Sequence, residues 1–71
     1  MIEMIKYVGK RIREEKGLTG REVAKRAGIS SGNISKWERG VHLPDLKSLD
    51  KIANVLDVHP WNLVVYRKDK K

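Results

Sequence analysis

Two helix-start signals that lie close together constrain the fold of this chain more than any other feature. Thr19 and Glu22 have the spacing of a capping box, in which each side chain accepts a hydrogen bond from the other residue's backbone amide. Ser30 is a second N-cap, and Gly28 just before it can adopt the left-handed backbone that a tight turn needs. Two short helices, ending at about residues 27 and 38, are therefore predicted to cross steeply at the small side chain of Ala24.

Apolar residues at helical spacing predict three further helices around this pair. The first covers residues 4–16 and ends at Gly17, the fourth begins after the N-cap Asp45, and a short fifth opens at Pro60. No convincing alternating strand is found, and only residues 64–66 fit either a helix or a strand. The predicted fold class is all-α, with five helices in one domain over residues 1–66 and a basic tail over residues 67–71.

Charge is distributed unevenly along the chain. Its 71 residues carry 16 Lys and Arg against 9 Asp and Glu, a net charge of +7. Residues 1–40, with ten basic and five acidic side chains, carry a net +5; residues 41–66 carry a net −1 and residues 67–71 a net +3. A basic half beside a nearly neutral half indicates a polyanionic partner, most often nucleic acid and less often an anionic membrane.

Size and composition disfavour several classes of function. A chain this short buries only about 60% of its unfolded surface, which disfavours the deep cavity of an enzyme. Without cysteine there is no disulfide, thiolate nucleophile or Cys-ligated zinc, and His42 and His59 are too far apart in sequence to suggest a metal site. We expect no catalysis, cofactor, metal or small-molecule effector. The lack of a signal-peptide stretch or a membrane span predicts a cytoplasmic protein without a membrane partner.

The spacing of small and apolar residues between positions 20 and 39 resembles a helix-turn-helix DNA-binding unit. The residues that carry this resemblance are Val23, Ala24, Ala27, Gly28, Ile29, Ile34 and Trp37. A wider pattern resembles the five-helix Cro/cI (XRE) family of phage and bacterial regulators over about residues 5–64. That pattern adds Pro44, Leu49, Ile52, Ala53, Leu56 and Val58. The resemblance implies a lambda-repressor-like fold with the helix-turn-helix in its second and third helices.

The function that this resemblance implies is sequence-specific binding of double-stranded DNA by a transcriptional regulator, with repression favoured over activation. A different class of function stays open. The chain could be a protein-interaction module, such as an antitoxin or a regulator-binding partner, that uses its apolar C-terminal face. A membrane-surface binder is disfavoured because the basic residues surround the helix-turn-helix instead of one strongly apolar face.

The third predicted helix carries the candidate base-reading residues. If Ile34 and Trp37 face the core, the outward side of this helix carries Ser31, Gly32, Ser35 and Lys36. The resemblance assigns base contacts to the first two residues of the helix and to one a turn later, which are Ser31, Gly32 and Lys36. Free backbone amides at the helix N-terminus also favour a nearby phosphate.

Phosphate contacts are predicted around the two helices. The candidates are Thr19, Gly20, Arg21, Asn33 and Arg39. The resembled family commonly has a phosphate-gripping glutamine at the position of Gly20. Because this chain departs from that pattern, we expect the Gly20 amide and the Arg21 side chain to supply the contact.

Two further sets of residues have expected structural roles. Glu38 directly follows the core residue Trp37, and the resemblance pairs this carboxylate with Arg13 in a structural ion pair. The C-terminal apolar residues exceed what a short fifth helix needs for its own packing. We expect a homodimer through Trp61, Val64 and Val65, which would place two reading helices on two half-sites. The alternative is that Trp61 closes the monomer core.

Overall fold

The computed structural model describes residues 3–68, which form four α-helices and a two-stranded sheet. In chain order the elements are β1 (Glu3–Tyr7), α1 (Gly9–Glu15), α2 (Gly20–Ala27), α3 (Ser31–Glu38), α4 (Leu46–Leu56), a 3-10 helix (Pro60–Leu63) and β2 (Val64–Lys68). The predicted helical class and the pair of helices at the centre of the chain are confirmed.

The expectation of five helices without strands is wrong at both ends of the chain. The first helix begins at Gly9 instead of residue 4, because Glu3–Tyr7 forms a strand that pairs antiparallel with Val64–Lys68. The predicted fifth helix is a single 3-10 turn. Strand β2 also extends two residues into the predicted tail 67–71, whose residues 69–71 lie outside the described residues. Ile5 has the right spacing for a helix, but its strand partner Tyr66 lies at the other end of the sequence, where a local pattern gives no signal.

The helix boundaries follow the predicted capping residues. The Thr19 hydroxyl accepts from the Glu22 amide at 3.1 Å and the Glu22 carboxylate accepts from the Thr19 amide at 2.8 Å. Asp45 accepts from the Ser48 amide at 2.8 Å at the start of α4. These bonds satisfy amides that have no partner within their own helix, and so they place each helix start at its cap.

The core lies where α2, α3 and α4 meet. Its buried apolar members on these helices are Val23, Ala24, Ile34, Trp37, Leu49, Ile52, Ala53 and Leu56. Leu63 of the 3-10 helix and Tyr7 of β1 complete the cluster. The sheet therefore closes one end of the core, and α3 packs against α2 through its buried side.

Candidate nucleic-acid interface

A tight turn sets the angle between α2 and α3. Gly28 ends α2 with φ +70°, in the left-handed region that glycine adopts without a steric cost. Ser30 then caps α3, and its hydroxyl accepts from the amides of Gly32 at 3.1 Å and Asn33 at 3.4 Å. Because both helix ends are fixed within three residues, the direction of α3 relative to α2 is set by the backbone.

The outer side of α3 is exposed along its whole length. Ile34 and Trp37 point into the core and are 1% and 8% exposed. At about 100° per residue, Gly32, Ser35 and Lys36 then lie on the opposite side of the helix. Ser31 and Asn33 lie on the two flanks. All five of these outer residues are exposed.

The amides at the start of α3 are less available than the sequence suggested. The Gly32 amide, expected to be free for a phosphate, already donates to the Ser30 hydroxyl. The Ser31 amide, in contrast, donates to no acceptor among residues 3–68. The expectation of free amides at this terminus is thus wrong for Gly32, because the N-cap takes that donor.

The five predicted phosphate-binding residues lie at the start of α2 and at both ends of α3. Thr19, Arg21, Asn33 and Arg39 are exposed, and Gly20 is half-buried at the first position of α2. No acceptor in the described part of the chain is hydrogen-bonded to the Gly20 amide. A Cβ atom at Gly20 would lie 3.8 Å from Arg13 Nε and 3.8 Å from Ile34 Cγ2, which is ordinary van der Waals contact. The position can therefore hold a Cβ atom without steric overlap.

An ion pair connects the end of α3 to α1. Arg13 Nε donates to Glu38 Oε2 at 2.6 Å and Arg13 Nη2 donates to Glu38 Oε1 at 2.9 Å, a bidentate geometry. The Arg13 and Glu38 side chains are 15% and 10% exposed. Arg13 Nη1 also donates to the Leu18 carbonyl at 3.1 Å, just before α2 begins. The hydrogen bonds to Glu38 raise the pKa of Arg13, so one guanidinium remains charged and holds three segments together.

Tyr7 is a buried residue beside this pair that the sequence analysis missed. Its side chain is 6% exposed and covers Gly9, where a Cβ atom would overlap the phenol. Burial, reinforced by the negative charge of Glu38, raises the pKa of Tyr7 to about 12. The sequence signal was a glycine two residues after an aromatic residue, which makes room for a ring over the backbone.

The three predicted dimer residues do not form one surface. Trp61 is 61% exposed and Val65 47% exposed, whereas Val64 is half-buried and packs against the core. Val64 and Val65 point to opposite faces because successive residues of a strand alternate. The alternative that Trp61 closes the monomer core is wrong.

Among residues 3–68, no group of three or more His, Cys, Asp or Glu side chains could hold a metal ion. No helix in the same part of the chain has both the length and the apolar character needed to cross a membrane.

Comparisons with known proteins agree with this geometry. A family model described as helix-turn-helix matches residues 10–60. An uncharacterised HTH-type transcriptional regulator of Sinorhizobium fredii, y4dJ, is 41% identical over 66 residues, which cover 89% of this chain and 86% of the relative.

Two solved structures share the fold. A Bacteroides fragilis protein, described as a candidate DNA-binding protein, superimposes with a TM-score of 0.81 and 34% identity over 87% of this chain and 100% of that one. SinR of Bacillus subtilis, the master regulator for biofilm formation, was solved in complex with DNA. It has a TM-score of 0.72 and 36% identity over 76% of this chain and 87% of that one.

Proposed function

The chain belongs to the helix-turn-helix family, and from this premise we propose that it is a sequence-specific transcriptional regulator that binds double-stranded DNA with α3 in the major groove. The observation that carries the proposal is the exposed outer side of α3, whose opposite side is fixed in the core by Ile34 and Trp37. A helix held in this way presents its outer residues rigidly to base edges. The SinR structure in complex with DNA supports the same partner for this chain.

Base readout is assigned to the outer side of α3. Lys36 can donate to guanine O6 or N7, and the Ser31 and Ser35 hydroxyls can donate to or accept from several bases. Gly32 adds no side chain and lets the helix backbone approach the groove closely. Because Lys36 is the one charged side chain among these four residues, we expect the protein to discriminate strongly between bases at only a few positions of its site.

Affinity is assigned to the residues around α3. Arg21 and Arg39 supply positive charge, Thr19 and Asn33 supply polar groups, and Gly20 supplies a backbone amide at the start of α2. Contacts of this kind position a protein on the phosphate backbone without reading the sequence. Residues 1–66 would form the binding domain, with the basic residues beyond them adding non-specific attraction.

A homodimer is part of the proposal. One reading helix contacts only a few base pairs, so specific sites usually consist of two half-sites about one helical turn apart. The exposed Trp61 and Val65 offer apolar area for a twofold contact. Val64 packs against the core and so holds β2 in place behind this contact. A dimer that covers its operator would block access of other proteins, which favours repression. Its DNA partner would place it in the cytoplasm.

Selection of bound sequences from random duplexes, followed by two variants, tests this function. A motif with two half-sites at fixed spacing is expected. Lys36→Ala should relax the preference at one position of each half-site, at about 1–3 kcal/mol per contact. Arg39→Ala should weaken all sites alike, because a phosphate contact is independent of sequence. Lys51→Ala, exposed on α4, is the matched control and should change neither quantity.

Three outcomes of this experiment would contradict the proposal in different ways. Random duplexes that yield no motif would remove sequence-specific binding. An unchanged preference in Lys36→Ala would show that α3 is not docked in this register. Absence of duplex binding together with capture of a protein partner at the exposed apolar residues would favour the interaction-module alternative.

A further inference from the structure

A groove of about 470 Å³ lies beside β1. It is lined by Ile5, Lys6, Tyr7, Trp37, Gly40, Val41, His42 and Leu43. Three consecutive residues of β1 contribute to the lining, and none of residues 64–66 of β2 does. The groove therefore follows the edge of β1 that β2 leaves open, and the segment 40–43 forms its opposite wall.

The backbone of β1 presents hydrogen-bonding groups to this groove. The Val8 amide donates to the Leu63 carbonyl at 2.7 Å, in register with the pairs Lys6↔Val65 and Tyr7↔Val64. Along an antiparallel strand, residues whose backbone groups bond to the partner strand alternate with residues whose backbone groups point away from it. Lys6 thus bonds toward β2, while the amide and carbonyl groups of Ile5 and Tyr7 point to the open edge. In the described part of the chain, no group is hydrogen-bonded to them from that side.

The side chains of the groove specify a chemistry for its occupant. Val41 and Leu43 are 53% and 49% exposed on one wall, and Trp37 and Tyr7 are buried at its base. Lys6 and His42 are exposed, and none of the eight lining residues is acidic. An occupant that matches this surface has apolar side chains on the Tyr7 side and negative charge on the Lys6 side.

A second copy of the folded chain does not fit this groove. If β1 of the second copy paired with β1 of the first copy, the second copy's own β2 would lie about 4.8 Å farther out, on the far side of the added strand. The segment 40–43 already occupies that side of the groove. A single extended segment has no such attached neighbour and can lie between the two walls.

We propose that the groove binds an extended segment of a partner protein, with alternating apolar and acidic residues, as a third strand on β1. Its backbone would pair with Ile5 and Tyr7, its apolar side chains would face the Tyr7 side, and its acidic side chains would face Lys6. The site is separate from the outer side of α3 and does not depend on DNA binding.

A fluorescein-labelled seven-residue peptide of alternating valine and glutamate, measured by fluorescence anisotropy, tests the charge preference. We expect it to bind about tenfold more tightly than the matched valine–lysine peptide, because its negative charge meets the positive charge of Lys6. Lys6→Glu should remove this preference. Lys51→Glu makes the same charge change outside the groove and should keep it. Equal preferences in the two variants would mean that net charge alone attracts the peptide and would overturn the proposal.

Amide hydrogen exchange of the complex tests strand addition directly. At saturating valine–glutamate peptide, the Ile5 and Tyr7 amides should become protected, while the Lys6 amide, already paired with β2, should stay unchanged. Peptide binding without protection at Ile5 and Tyr7 would contradict the proposal. Protection of both amides at high protein concentration without peptide would assign the groove to a second copy of this chain instead.

Discussion

At the scale of single residues, the charged pair at the end of α3 has a large expected effect on stability. Glu38 ends the helix directly after Trp37, and both of its carboxylate oxygens accept hydrogen bonds from Arg13. Glu38→Ala removes the carboxylate and leaves a mostly buried guanidinium without its partner. We expect a loss of about 3 kcal/mol in the free energy of unfolding, at the low end for buried pairs because both side chains keep some exposure. Urea denaturation at neutral pH measures it.

The chain contains a matched control for this substitution. Glu15 pairs with Arg11 at 3.7 Å, but these side chains are 67% and 83% exposed. Glu15→Ala should therefore change the free energy of unfolding by less than about 0.5 kcal/mol. Equal losses in the two variants would mean that the Arg13–Glu38 pair contributes no more than a surface pair.

Tyr7 gives the molecule a predictable response to alkaline pH. Its pKa is about 12 in the folded chain, above the ordinary value of 10.0. Between these values the unfolded chain loses the phenol proton and the folded chain keeps it. The contribution of Tyr7 to the free energy of unfolding is therefore fully present below pH 10 and is lost as pH rises from 10 to 12. Tyr7→Phe lacks this proton. Between pH 9 and about 11.5 the parent chain should lose about 1–2 kcal/mol more than the variant, by urea denaturation at each pH. Parallel losses would show that Tyr7 titrates normally.

At the scale of elements, α2 offers a position where the function could be strengthened. The amide of Gly20 lies at the helix start, and the neighbouring atoms leave space for a Cβ atom at this position. Gly20→Gln should raise affinity for all duplexes about tenfold, since a hydrogen bond from a neutral amide to a charged phosphate contributes about 1.5 kcal/mol. The slope of affinity against salt should not change, because glutamine displaces no counterion. Fluorescence anisotropy with labelled duplexes measures both.

Gly20→Ala separates the hydrogen bond from the helix. Alanine fits the same space and favours the helix over glycine, but it has no donor for a phosphate. The alanine variant should therefore gain stability and leave affinity unchanged. If both variants raise affinity equally, the gain comes from helix order and Gly20 does not lie beside a phosphate.

The elements also show which parts of the fold a sequence can reveal. The starts of α2 and α3 were predictable because a cap and its target amide lie within three residues, as at Ser30 and Asn33. The sheet was not, because Ile5 and Tyr66 are paired across nearly the whole chain and neither strand has a clear alternation. The exposure of Ser35 and Lys36 followed from helical periodicity. Which face Val64 and Val65 occupy could not be inferred without knowing that they lie in a strand.

At the scale of the whole molecule, the net charge of +7 and the exposed Trp61 and Val65 should act together on DNA. About five phosphate contacts per subunit predict a slope of log affinity against log salt of about −4 to −5, and a dimer on two half-sites about −9. Trp61→Ser removes an exposed apolar side chain from the proposed dimer contact. On a two-half-site duplex its slope should fall to about −4 to −5.

Leu46→Ser is the matched control for that experiment. Leu46 is 69% exposed on α4, so its substitution removes a comparable apolar side chain that is not part of the proposed dimer contact. This variant should keep the slope of about −9 and the dimer mass in sedimentation equilibrium. If Trp61→Ser keeps that slope as well, Trp61 does not contribute to the dimer. If the unaltered chain already shows a slope of about −4 to −5, it binds as a monomer, and the two half-sites must be brought together without this contact.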